Sequence, residues 1–126
     1  MYHVEVTNLG KTSFKVKAKT ADITLDSEGN GVSPLETLLA SLGGCVGVYL
    51  RRFLEANKLA TDFNVTVDSE LEIKERPHRF KLINIAIDLK GLKLDENQTK
   101  QLIDIVKHCP VHNTMVASPE IEFKIS

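Results

Sequence analysis

The sequence predicts an α+β domain in which antiparallel sheets accompany one long, buried helix. Three observations carry that reading. Runs of alternating apolar and polar residues fill the N-terminal end and recur after residue 64, the period of strands with one covered face. Between them, residues 37 to 50 carry no charge, so the helix they form is shielded around most of its circumference. A chain of 126 residues is a single domain by size, residues 1–126, and too short to wrap such a helix alone. A second copy of the chain is the economical cover, which makes a homodimer with helix packed on helix the expected state.

The elements follow in order. Tyr2, Val4 and Val6 alternate with His3, Glu5 and Thr7, and Asn8-Leu9-Gly10 reads as a turn. Phe14, Val16 and Ala18 alternate with three lysines, and Ala21, Ile23 and Leu25 form a third run. The breakers of Ser27–Gly31 lead into the long helix. Ser33 fits its N-cap and Pro34 its first position, with Glu36 placed to close a capping box. The helix then runs to Asn57 through Gly43, Gly44 and Gly47. Each of these costs about 1 kcal/mol against alanine, and glycines so placed let another backbone approach closely.

Asn64–Lys74 alternates again, with Val65, Val67, Leu71 and Ile73 on one face. Pro77 interrupts a basic turn, and Phe80–Lys90 returns with Ile83, Ile85, Ile87 and Leu89 in register, so the two runs form a hairpin that Gly91 ends. A second helix starts near Asp95, with Gln98 in capping-box position. Its apolar stripe of Leu102, Ile105 and Val106 takes in Cys109, and Pro110 limits it there. Val111–Ala117 reads as a turn, and Ile121, Phe123 and Ile125 as a last strand.

Composition excludes several function classes. Sixteen basic against seventeen acidic side chains give a net charge of −1, with no basic stripe for nucleic acid. The uncharged run is shorter than the roughly 20 residues a bilayer needs. The N-terminus lacks a secretory apolar core, so a cytoplasmic protein without a membrane partner is expected. In a reducing compartment, two cysteines suggest redox chemistry, a metal or packing rather than a staple.

Cys45 shares a helical stripe with Leu38, Leu42 and Tyr49; taken alone, it and Cys109 each read as a small buried hydrophobe. As a pair, one per helix and each on an apolar face, they suit peroxide reduction. One thiolate attacks an oxygen and becomes a sulfenic acid, and the second thiol condenses with it to a disulfide. A zinc site built on His108, Cys109 and His112 is the weaker alternative, since the spacing is short and the motif single.

Gly31-Val-Ser-Pro-Leu-Glu-Thr-Leu-Leu-Ala-Ser, leading to Cys45, and Cys109-Pro-Val-His-Asn-Thr, whose cysteine stands 64 positions after Cys45, resemble the OsmC/Ohr family of osmotically inducible and organic hydroperoxide resistance proteins. The resemblance covers essentially the whole chain and looks nearest to the small YhfA-like branch. It implies the OsmC-like fold, antiparallel sheets wrapped around long buried central helices in an intertwined homodimer, with active sites at the subunit interface. It also implies oxidative-stress defence by reduction of hydroperoxides, with Cys45 as peroxidatic and Cys109 as resolving cysteine. Electrons would come from a dithiol reductant, lipoyl-type or a small thiol, and neither cofactor nor metal is implied.

Two partner residues of the family are missing. No arginine precedes Arg51, and Leu35 stands where a glutamate follows the helix-start proline. A cysteine among leucines needs positive potential to ionise. Arg52, seven residues after Cys45, and Arg79, reaching from a second subunit, are the candidates. A dimer that binds a small apolar or thiol ligand, with cysteines slow toward peroxide, is the alternative reading.

Overall fold

The computed structural model describes all of residues 1–126, with five strands and three helices. It packs as two compact units, Met1–Ala40 and Ser41–Ser126.

In the first unit, β1 (Glu5–Gly10), β2 (Ser13–Lys17) and β3 (Asp22–Asp26) form an antiparallel sheet in that order. Val6 pairs with Val16 and Val16 with Ile23, so the alternating apolar positions share one face. The first strand lies later than its apolar residues suggested. Asn8-Leu9-Gly10 belongs to β1 as a bulge, in which Asn8 Oδ1 accepts the Gly10 N–H at 2.8 Å. The reversal falls instead on Lys11 and Thr12, with Lys11 at φ 52°.

The buried group of this unit is a carboxylate. Asp26, only 4% exposed, accepts the Thr12 hydroxyl at 2.7 Å and the Glu28 N–H at 2.8 Å. The Glu28 amide first, then the Thr12 hydroxyl, holds its pKa below the ordinary carboxylate value. Gly31 is required next to it: a Cβ there would lie 2.5 Å from the Thr24 carbonyl oxygen. Ser33 and Glu36 form the expected capping box, each backbone N–H donating to the other's side chain at 3.1 Å.

The second unit holds the apolar core. Leu42, Val46, Leu50, Phe53 and Leu54 form the buried stripe of α1 (Pro34–Ala56). Leu50, Phe53 and Leu54 pack with Leu102 of α2 (Glu96–Val106), and Leu59, Phe63, Val65, Ile87 and Leu89 close around them. Each fully buried side chain of this kind contributes about 1.5–3 kcal/mol. The far side of α1, with Gly44, Val48 and Arg51, stays exposed, so all-round shielding is not achieved within one chain. Within the chain, Gly43 faces the β4 hairpin strand (Asn64–Glu72). Its missing Cβ makes room for β4, since a methyl there would stand 3.0 Å from Val67 Cγ2.

β4 (Asn64–Glu72) and β5 (Arg79–Asp88) form the predicted hairpin, with Val65 opposite Ile87 and Val67 opposite Ile85. A bulge between Glu70 and Leu71 inverts the faces beyond it. Leu71 and Ile73 are therefore exposed while Glu72 is half-buried, against the single apolar face expected.

The capping box at Asp95 and Gln98 is present, but α2 stops at Val106. Cys109 is thus not on its apolar stripe. It is the N-cap of α3 (Pro110–Ala117), a segment expected to be a turn, with φ −56° and ψ 122°. Pro110 is the reason: it cannot continue α2, but its fixed φ suits the first position of a new helix. Residues 119–126 join no ladder, so the last expected strand is unpaired. Ile121, Phe123 and Ile125 are 72%, 90% and 98% exposed. No helix is long and apolar enough to cross a membrane.

Candidate functional site: a thiol pair at the start of α3

Both cysteines are free, and both lie in the second unit. Cys45 sits half-buried in the middle of α1, and Cys109 is completely buried at the start of α3. The chain brings them together. The Cys109 thiol lies near enough to Cys45 to act on its titration.

Burial is the main influence on Cys45 and pushes its pKa above the ordinary thiol value; the neighbouring Cys109 thiol pushes the same way by favouring the protonated form. Two groups oppose them. The Val111 backbone N–H is directed at the Cys45 sulfur, and the Arg52 guanidinium acts through its charge. Arg52 also lies over the Tyr49 ring, 5.3 Å from its centroid, which holds the guanidinium along α1 toward Cys45. Arg79, expected to reach Cys45 from a second subunit, does not act on the cysteine of its own chain.

The first turn of α3 therefore serves both sulfurs. The His112 N–H donates to Cys109 Sγ at 3.4 Å, while the Val111 N–H faces Cys45. Both donors lack an intrahelical carbonyl partner, as the first N–H groups at the positive end of a helix do. Sequence reasoning missed Val111 and the helix that aims it. The signal was present in Cys109-Pro110, because a polar residue before proline is the pattern of an N-cap followed by a first helical position.

The zinc set does not assemble. His112 Nδ1 lies 3.1 Å from Asn113 Oδ1, and no group of three or more His, Cys, Asp or Glu side chains converges on one point. His108 faces elsewhere, into a cleft of about 490 Å³ between α1 and α2.

Comparison with known proteins supports the fold and the family. The family model for OsmC-like proteins matches residues 27–124. An uncharacterized protein of Methanocaldococcus jannaschii is 30% identical over 92 residues, covering 72% of this chain and 47% of the relative. The chain thus spans about half the length of that curated relative. Among solved structures, an OsmC-like protein from Mycoplasma pneumoniae superposes with a TM-score of 0.78 at 22% identity, over 94% of this chain and 89% of that one. An organic hydroperoxide resistance protein from Legionella pneumophila gives 0.62 at 19% identity, over 91% and 90%. At these identities the structures speak for the fold, while the family match takes in the second unit almost entirely and, of the first, only the residues after β3. The chain belongs to the OsmC-like protein family.

Proposed function

We propose that the chain is a thiol peroxidase that reduces organic hydroperoxides, with Cys45 as the attacking and Cys109 as the resolving cysteine. The observation that carries this reading is the proximity of the two thiols, close enough for Cys109 to act on Cys45. The Cys45 thiolate attacks one peroxide oxygen; the O–O bond breaks, and the alcohol leaves after taking up a proton. Cys45 is then a sulfenic acid. The Cys109 sulfur displaces its hydroxyl as water, and a disulfide forms. Two electrons have passed to the peroxide, and a dithiol or small thiol returns them. Val111 and Arg52 stabilise the thiolate in place of the absent arginine and glutamate, against the burial that disfavours it.

We read residues 1–126 as one domain of a cytoplasmic homodimer, supported by the family match over residues 27–124 and by the exposed apolar side chains of α1 and residues 121–125. Cumene hydroperoxide added to the reduced chain should be consumed while a Cys45–Cys109 link appears in non-reducing peptide maps. Unspent peroxide with both thiols still free would end this reading. The alternative, a dimer that binds a small apolar or thiol ligand and turns over little peroxide, is favoured by the raised pKa of Cys45.

A further inference from the structure

The cleft between α1 and α2 has a direction. On α1 it is lined by Tyr49, Arg52 and Ala56, and on α2 and the turn after it by Gln101, Asp104 and His108. Both sets follow the i, i+3, i+7 spacing of one helix face. The two stripes end at the two cysteines. Cys45 lies one helical turn before Tyr49, about 6 Å along the axis, and Cys109 directly follows His108. Neither cysteine lines the cleft itself, so a molecule lying in it reaches the thiol pair by extending past Tyr49 and His108.

Phe53 and Ile105 give the cleft an apolar floor, and its walls carry opposite charges from facing helices. Neither Arg52 nor Asp104 enters an ion pair; the four ion pairs of the chain involve other residues. A cation and an anion that share a cleft without pairing can be matched by a ligand bearing both signs. The volume, about 490 Å³, lies in the usual range of small-molecule sites.

We propose that this cleft binds the reductant, and that the reductant is a small thiol with a zwitterionic amino-acid head. The head's carboxylate meets Arg52 and its ammonium meets Asp104, which presents the thiol to the disulfide. This rests on the redox reading of Cys45 and Cys109 but not on peroxide being the oxidant. The step balances. The thiolate attacks the half-buried Cys45 sulfur, the S–S bond breaks and Cys109 takes the electron pair and then a proton. A second thiolate attacks the mixed disulfide, releasing the small-molecule disulfide and the Cys45 thiol.

The full-length chain, oxidised with diamide to the Cys45–Cys109 disulfide, is reduced in turn with cysteine, glutathione, cysteamine, 3-mercaptopropionate and 2-mercaptoethanol. Each rate is divided by the same thiol's rate with a small linear disulfide, which removes intrinsic reactivity. The zwitterionic thiols should lead, the singly charged ones follow and 2-mercaptoethanol come last. Asp104→Asn should slow cysteine, glutathione and cysteamine by about two- to fivefold, the worth of one exposed charge contact, and leave 3-mercaptopropionate and 2-mercaptoethanol unchanged. Asp104→Lys should turn the preference toward 3-mercaptopropionate. Cysteine against glutathione separates a bare amino-acid head from a peptide one. Normalised rates that are equal for all five thiols, or an Asp104→Asn change that slows all equally, would overturn the proposal. If diamide forms the disulfide but cumene hydroperoxide does not, the peroxidase reading fails alone. If diamide links no cysteines within the chain, both fail.

Discussion

The middle of α1 and the start of α3 each present a cysteine, and they do so by opposite means. Cys45 belongs to a helix anchored on the core: Val46, Leu50 and Leu54 beside it are buried. Cys109 belongs to a short helix with no buried residue, whose start is defined by Pro110 and by its own sulfur accepting the His112 N–H. The first sulfur is placed by packing and the second by backbone hydrogen bonding. Packing gives Cys45 a fixed position but a dry one, which raises its pKa; the polar helix start supplies the donor that partly offsets this. Neither region makes a reactive pair by itself.

Exchanging the sulfurs one at a time breaks the comparison most sharply. Cys45→Ser should lower peroxide consumption by about three orders of magnitude or more, as for other lost nucleophiles. Cys109→Ser should keep the first oxidation but stall there, with a sulfenic acid on Cys45 that dimedone traps. Equal loss of first-turnover oxidation in both variants would leave the two sulfurs without separate roles.

Stability should divide the same way. Leu54→Ala, at a fully buried core position, should cost about 2–5 kcal/mol in urea unfolding. The same kind of truncation on α3, Val116→Ala, should stay within about 0.5 kcal/mol. Capping lies between them: Cys109→Ala should cost about 1 kcal/mol, while Cys109→Ser keeps an acceptor for His112 and should cost less. A Val116→Ala loss as large as that of Leu54→Ala would show that α3 is held by packing after all.

The pH dependence sharpens the contrast on a finer scale. Alkylation of Cys45 should show a midpoint above that of a free cysteine. Cys109→Ser, which removes a raising influence, should bring it down, and Arg52→Met should push it up by a smaller amount. Because the folded pKa is raised, the stability this thiol contributes is complete below the unfolded value of about 8.5. It is lost as pH rises through the folded value, so unfolding at alkaline pH should be easier in the wild type than in Cys45→Ala.

Much of this was legible in the sequence because it was written locally. Ser33 and Glu36, and Asp95 and Gln98, are reciprocal caps that depend only on residues three apart. The two strands of the hairpin were marked by the alternation of Val65, Val67, Ile85 and Ile87, whose pairing the structure then fixes. Failures came where one residue could serve two neighbours. Cys109 fits the stripe of α2 by spacing, but Pro110 assigns it to the next helix. The bulge at Glu70/Leu71 shifts the faces by one residue and leaves no mark in composition. Cys45 and Cys109 could be named as a pair, whereas the Val111 N–H could not, because a backbone donor carries no residue type.

The sulfur that caps α3 is also the sulfur that the proposed chemistry consumes. A disulfide sulfur is turned toward its new partner, so the bond from His112 to Cys109 is weakened when the link forms. With no buried side chain to compensate, α3 should fray in the oxidised chain and close again on reduction. Amide hydrogen exchange at Val111–Asn113 should then run faster in the disulfide form than in the dithiol form, with the core of α1 unchanged. The redox state of two atoms would thereby be transcribed into the order of a surface helix, a change that another protein could sense without touching either cysteine.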